Sequence, residues 1–122
     1  MTVFRKFELE VLRLLLHGAV SPAQMSFIED FSGAFDYRYT GSGYFLTIFD
    51  PILPAEKSTH HAPAVVGISG DVQCGFVAFL GKKRLKLECH TWGPVDVPAD
   101  IRDRAVSILT PPVQFADQAN AT

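Results

Sequence analysis

At 122 residues, 48% of them hydrophobic and 20% charged, the chain has the size and composition of one globular domain with a single core. A formal net charge of −2 gives no support to general nucleic-acid binding, which needs a basic face to neutralise phosphates. No uninterrupted apolar run approaches the roughly 20 residues of a bilayer span, so no membrane helix is expected.

The apolar run Val11–Leu16 is broken by Arg13 and preceded by Glu8 and Glu10, which argues against a signal peptide. The expectation is a cytoplasmic protein whose two cysteines are thiols. Ten phenylalanines predict a core rich in rings.

Phe4 to His17 reads as a helix. Phe4, Phe7, Val11, Leu14 and Leu15 repeat at the three-and-four spacing of a buried face, with Lys6, Glu10, Arg13 and His17 opposite. Leu12 and Leu16 widen the stripe, and Gly18 is a natural C-cap. Ser21-Pro22-Ala23-Gln24 starts a second helix: Ser21 caps, Pro22 suits the first helical position and Gln24 completes a capping box. It runs through Phe31 with Phe27, Ile28 and Phe31 inward, and the short connection predicts antiparallel neighbours.

From Ala34 the period changes to two, and Phe35, Tyr37 and Tyr39 alternate with Asp36 and Arg38 as in a half-buried strand. Gly41-Ser42-Gly43 is a turn, and Tyr44 to Asp50 is the returning strand. Its apolar residues fall on both faces, which fits a central strand or one that meets a partner. Pro51 to Pro63 carries no evident element and reads as a long loop of the kind that is often functional. Val65 to Ser69 is a short strand, and Gly70-Asp71 turns into a hairpin spanning Cys74 to Gly93.

The hairpin has two readings. A two-residue loop starting at Gly81 pairs Leu80 with Lys83, Ala78 with Leu85, Phe76 with Leu87 and Cys74 with Cys89. A three-residue loop instead pairs Val77 with Leu87 and Phe79 with Leu85. The first is favoured. It brings the two sulfurs close together and leaves Arg84, Lys86 and Glu88 on the other face with Val77 and Phe79. Beyond Trp92-Gly93-Pro94, Pro98 to Ile101 reads as one helical turn, and Arg104 to Thr110 as a strand, with a short helix as the alternative. The expected domain spans 1–113, followed by a polar tail over 114–122.

Little in the chain carries chemistry. Cys89 and His90 are adjacent, so strand alternation points them to opposite faces, and His60-His61 lack partners at ligand spacing; no metal or other cofactor is expected. A nucleophilic Cys89 on a core face would be inert. Gly41-x-Gly43 joins two strands without a following helix or lysine, so it is a turn and not a phosphate loop. Asp36, Asp50 and Glu88 are scattered, which argues against paired catalytic carboxylates. What is left is a surface: Arg38, Tyr39, Lys86, Glu88, His90 and Trp92 gathered on the polar side of the sheet, with the composition of an interface. The lysines of the hairpin tip read as solubility and edge protection.

The segments Gly41–Thr47, Gly75–Phe79 and Leu87–Gly93 resemble a group of small uncharacterised bacterial proteins with a glycine-flanked Tyr-Phe-Leu-Thr strand and a Leu-Glu-Cys-His-x-Trp-Gly strand end. The resemblance covers about the middle half of the chain; it implies a bacterial source and a shared fold, and brings no catalytic residues. In size and layout alone the chain is similar to immunity proteins that neutralise secreted bacterial toxins.

The expected architecture is α+β, two N-terminal helices packed on an antiparallel sheet of five to six strands. The expected function is non-catalytic binding of a protein partner, in its sharpest form an immunity-like inhibitor, through the uncovered face near Trp92; that face also suits a homodimer contact. The alternative is a small enzyme or ligand-binding domain with a pocket near His90 and the 51–63 loop.

Overall fold

Two helices lie N-terminal to a seven-stranded, wholly antiparallel sheet, in a computed structural model that describes residues 2–111. The helices are α1 (Lys6–Leu15) and α2 (Pro22–Asp30). The strands are β1 (Phe35–Tyr39), β2 (Tyr44–Phe49), β3 (Ser58–His60), β4 (Val66–Ser69), β5 (Val72–Gly81), β6 (Arg84–Thr91) and β7 (Ser107–Leu109). Their order is β1-β2-β6-β5-β4-β7, with β3 pairing the C-terminal half of β5 beyond the end of β4. The fold is therefore the expected α+β arrangement with more strands than expected. The tail over 114–122 lies outside the described residues. No helix among the described residues is long and apolar enough to cross a membrane.

Helix α1 buries Phe7, Glu8, Val11, Leu12 and Leu15, and Phe4 and Leu16 extend the same stripe at either end. Leu14, expected inward, is 37% exposed; the buried stripe runs instead through Glu8, Leu12 and Leu16. Helix α2 opens on the expected capping box: Gln24 N–H donates to Ser21 Oγ at 3.1 Å, and Ser21 N–H donates to Gln24 Oε1 at 2.8 Å. Arg13 pairs with Glu29 at 2.7 Å between the helices, and the Gln24 amide donates to the Ile52 carbonyl at 2.8 Å.

Alternation divides every strand between two faces. Tyr44, Leu46, Ile48, Leu85, Leu87, Cys89, Cys74, Phe76, Ala78 and Leu80 are buried together with the apolar stripe of α1. Each fully buried leucine or isoleucine there contributes roughly 1.5–3 kcal/mol, so this face carries most of the stability. Turn chemistry secures the close approaches. A Cβ on buried Gly43 would fall inside the contact shell of the Cys89 carbonyl oxygen on β6, so only glycine fits where the β1–β2 hairpin meets its neighbour.

The hairpin register differs from both sequence readings. Leu80 opposes Leu85, Ala78 opposes Leu87, Phe76 opposes Cys89 and Cys74 opposes Thr91, which leaves Lys82-Lys83 as the two-residue loop. Both lysines have positive φ, 56° and 60°, as a type I′ turn requires. Lysine is a poor choice for that backbone, and long-range contacts of the main chain fix the turn at these two residues. Lys82 N–H donates to the Ala55 carbonyl at 2.9 Å, and Lys83 N–H to the Pro54 carbonyl at 3.0 Å. The shift by two residues preserves the face assignment. Cys74 and Cys89 stay on one face as neighbours across β5 and β6, unlinked, and the Cys74 thiol donates to the Gly67 carbonyl at 3.6 Å.

The segment read as a featureless loop contains β3, whose Ser58, Thr59 and His60 oppose Leu80, Phe79 and Ala78. Three polar residues show no apolar alternation, and only the unpaired edge of β5 makes them a strand. The helical turn expected at Pro98–Ile101 lies slightly later, as a 3₁₀ turn over Ile101–Asp103. The last strand is confirmed in shortened form as β7.

Candidate binding face

The second face of the sheet lies outside the core cluster, and among its described strand residues only Thr47, Val66, Gly75 and Gly81 are buried. Across it the register sets out rows of opposed residues. Arg38, Phe45, Glu88 and Val77 form one row, from β1 through β2 and β6 to β5. Asp36, Thr47, Lys86, Phe79 and Thr59 form the next. His90 lies opposite Gly75, and Gly75 opposite Val66.

Aromatic rings and cations interlock on this face. The Lys86 ammonium lies 5.2 Å from the centre of the Phe45 ring and 5.1 Å from that of Phe79, and the Arg38 guanidinium lies 5.2 Å from Phe45. Such contacts are worth about 0.5–1 kcal/mol each at exposed sites, enough to fix the rings and the lysine stem without neutralising the charge. At the other end the His90 and Trp92 rings lie 6.3 Å apart over Gly75. A Cβ there would stand 2.5 Å from His90 Cε1 and 2.6 Å from Trp92 Cε3, so the bare glycine seats both rings. Trp92 is 50% exposed and borders an open apolar groove of about 610 Å³ with Val66, Ile68 and Leu109.

Five of the six residues expected on this face are therefore gathered there: Arg38, Lys86, Glu88, His90 and Trp92. Tyr39 is not. It opposes Tyr44 on the helix-covered face, and its hydroxyl donates to the Val97 carbonyl at 2.6 Å. The same alternation that places Arg38 outward turns Tyr39 inward, because the two are consecutive on β1. His90 and the 51–63 loop are also separate. The recess beside that loop, of about 160 Å³, is lined by Lys57, Thr59, Phe79, Arg84 and Lys86 on the β3 side, whereas His90 sits by β4 and Trp92.

The cysteine is placed as a core residue. Cys89 is buried, and the neighbouring Cys74 thiol, together with burial, pushes its thiol far above the ordinary range, which removes the thiolate a nucleophile needs. His90, on the opposite face, cannot reach it. Among the described residues no group of three or more His, Cys, Asp or Glu side chains is placed to hold a metal ion.

One constellation was not anticipated from sequence. Glu8 is fully buried and bound on all sides. Arg102 Nε and Nη2 donate to its two oxygens at 2.7 and 2.8 Å, the Arg5 backbone N–H donates at 2.7 Å, and the Tyr44 hydroxyl donates to Oε2. Arg102 also donates to the Val3 carbonyl at 2.8 Å and lies 5.5 Å from the centre of the Tyr37 ring. Burial, with the Glu8 charge beside it, holds the Tyr44 phenol well above its ordinary value. A carboxylate whose lone pairs are all engaged in a closed site has no room for substrate. This is a structural tie between α1, β2 and the 3₁₀ turn. Its signal in the sequence was a glutamate within the buried stripe of α1, at the spacing of Phe4, Phe7, Val11 and Leu12.

The geometry thus defines an α+β domain with one covered and one uncovered sheet face. Comparison with known proteins adds no match: no family model, no curated protein and no solved structure aligns significantly with this chain.

Proposed function

We propose that this chain is a non-catalytic protein-binding module that receives an acidic surface of its partner on the uncovered sheet face. The observation that supports this reading most directly is the fixed lattice of rings and cations on that face, Arg38–Phe45–Lys86–Phe79, continued by His90 and Trp92. Pre-fixed aromatics and arginine lose little side-chain entropy on binding, which is why such residues dominate interface energetics. The charge of the face runs against that of the chain. Arg38, Arg84 and Lys86 on the strands, with Lys57 beside them, outnumber Asp36 and Glu88, while the chain as a whole carries −2. Glu88 in the middle of the lattice and Asp36 at its edge would oppose a continuous phosphate backbone, which favours a protein over a nucleic acid.

The test is capture from the source cells with the native chain and with a Phe45→Ala, Trp92→Ala double variant, followed by binding of the purified partner. The expected result is a partner whose affinity falls at least tenfold in the variant and weakens with salt. Equal affinity for both chains, no partner at all, or tight binding of an oligothymidylate in its place would overturn the reading. The sharpest form of the proposal, an immunity-type inhibitor, requires the partner to be a toxin that the chain inactivates one to one.

A further inference from the structure

The recess beside the hairpin tip is a different feature from the Trp92 end, and it has its own chemistry. Its cations are Lys57, which precedes β3, and Arg84 and Lys86 on β6. None of the three takes part in any of the four ion pairs found among the described residues. No carboxylate lines the recess. Three cations around one recess of about 160 Å³ raise its positive potential and favour an anion there.

The walls are built for a small group. Gly81 is buried opposite Arg84, and a Cβ on it would stand 2.8 Å from Lys57 Cγ and 2.9 Å from Lys57 Cα. The missing side chain is what lets Lys57 lie across the strand and leaves the hollow beside it. Phe79 forms an apolar wall and holds the Lys86 ammonium 5.1 Å from its ring centre, so the charge stays displayed with its stem immobilised. Thr59, opposite Phe79, adds a hydroxyl. The tip lysines, Lys82 and Lys83, are exposed next to it and raise the local positive potential.

We propose that this recess binds a phosphate monoester group. An arginine fork with two flanking ammonium charges matches a dianion with several acceptor oxygens better than it matches a single carboxylate. The site does not depend on the protein-binding reading, because the recess is complete within this chain and takes the same group from a free ligand or from a partner.

The experiment is a titration of the native chain with inorganic phosphate at constant ionic strength, followed by backbone amide NMR shifts. Saturable shifts confined to residues 57–59, 79–81 and 84–86 are expected. A Lys57→Gln, Arg84→Gln double variant should bind at least tenfold more weakly, and Arg84→Lys should bind with intermediate affinity while preserving the fold. Shifts that are linear and spread over the surface, or equal affinity in native and double variant, would overturn the site. Two further arms separate the sources: a small sugar phosphate and a phosphoserine peptide are each compared with their unphosphorylated forms. A preference for either phosphorylated form supports the site and names its source; no preference in both pairs overturns it. Loss of this binding leaves the Phe45–Trp92 test untouched, so the two proposals fail separately.

Discussion

Glu8 shows how one residue can be decisive without being catalytic. Its carboxylate is out of water and satisfied only by Arg102, Tyr44 and the Arg5 amide. Removing one partner of such a pair leaves an uncompensated buried charge, so Glu8→Gln and Arg102→Met are each expected to cost about 3–5 kcal/mol in urea unfolding. The double variant should cost clearly less than their sum, since the second change removes the orphan created by the first. Tyr44 gives the cluster a pH signature. Unfolded, its phenol ionises near 10; folded, burial and then Glu8 hold it well above that. The native state therefore favours the protonated phenol. That stabilisation is complete below pH 10 and is lost as the pH rises through the folded value. Unfolding free energies measured on the alkaline side should fall with pH in the native chain, and the fall should be shallower in Tyr44→Phe, with a cost of about 1.5–3 kcal/mol at neutral pH for the lost bond to a charged acceptor.

At the level of elements, the β5–β6 hairpin sets the geometry of everything beside it. Its turn places two lysines in the left-handed region, φ 56° and 60°, which costs about 1–2 kcal/mol per residue for an L-side chain. Replacing Lys82-Lys83 with Asn-Gly keeps the type I′ turn and the two amide donors to Ala55 and Pro54 while relieving that strain. The expected outcome is a gain of about 1 kcal/mol with an unchanged denaturant slope. A loss of stability would mean that the lysine stems contribute packing beyond their backbone. The turn also shows why the favoured sequence reading has the right faces and the wrong partners. Registers that differ by two residues keep every side chain on the same face. The observed register is held by the chain at Pro54 and Ala55, more than twenty-five residues earlier in the sequence.

For the molecule as a whole, a sheet covered on one face and open on the other should be unevenly stable. β5 and β6 lie between neighbours and carry Cys74, Phe76, Ala78, Leu80, Leu85, Leu87 and Cys89 into the core. β1 and β7 are edges, and β3 and β7 are only three residues long. Amide hydrogen exchange should therefore be slowest along 74–80 and 85–89 and fastest at the outward-facing amides of β1, β3 and β7. Equal protection across all seven strands would mean that the open face is closed by a second copy in solution. The open face is also the part of the molecule where binding is proposed, and its rings are held by cations rather than by a second layer, which keeps it accessible without unfolding.

Local pattern by itself determined the class of fold, both helices, the Ser21–Gln24 cap and the two-face division of the central strands, because helix period, strand alternation and capping act over a few residues. It also placed Arg38, Lys86, Glu88 and His90 on one side of the sheet. Tertiary structure alone decided the rest. Ser58–His60 became a strand because β5 offered it an edge, and Lys82-Lys83 became the turn because the 54–55 backbone accepts their amides. Glu8 met Arg102 across 94 residues of sequence. Hydrogen-bond partners that distant leave no periodicity to read, since what selects them is the packing of the finished fold.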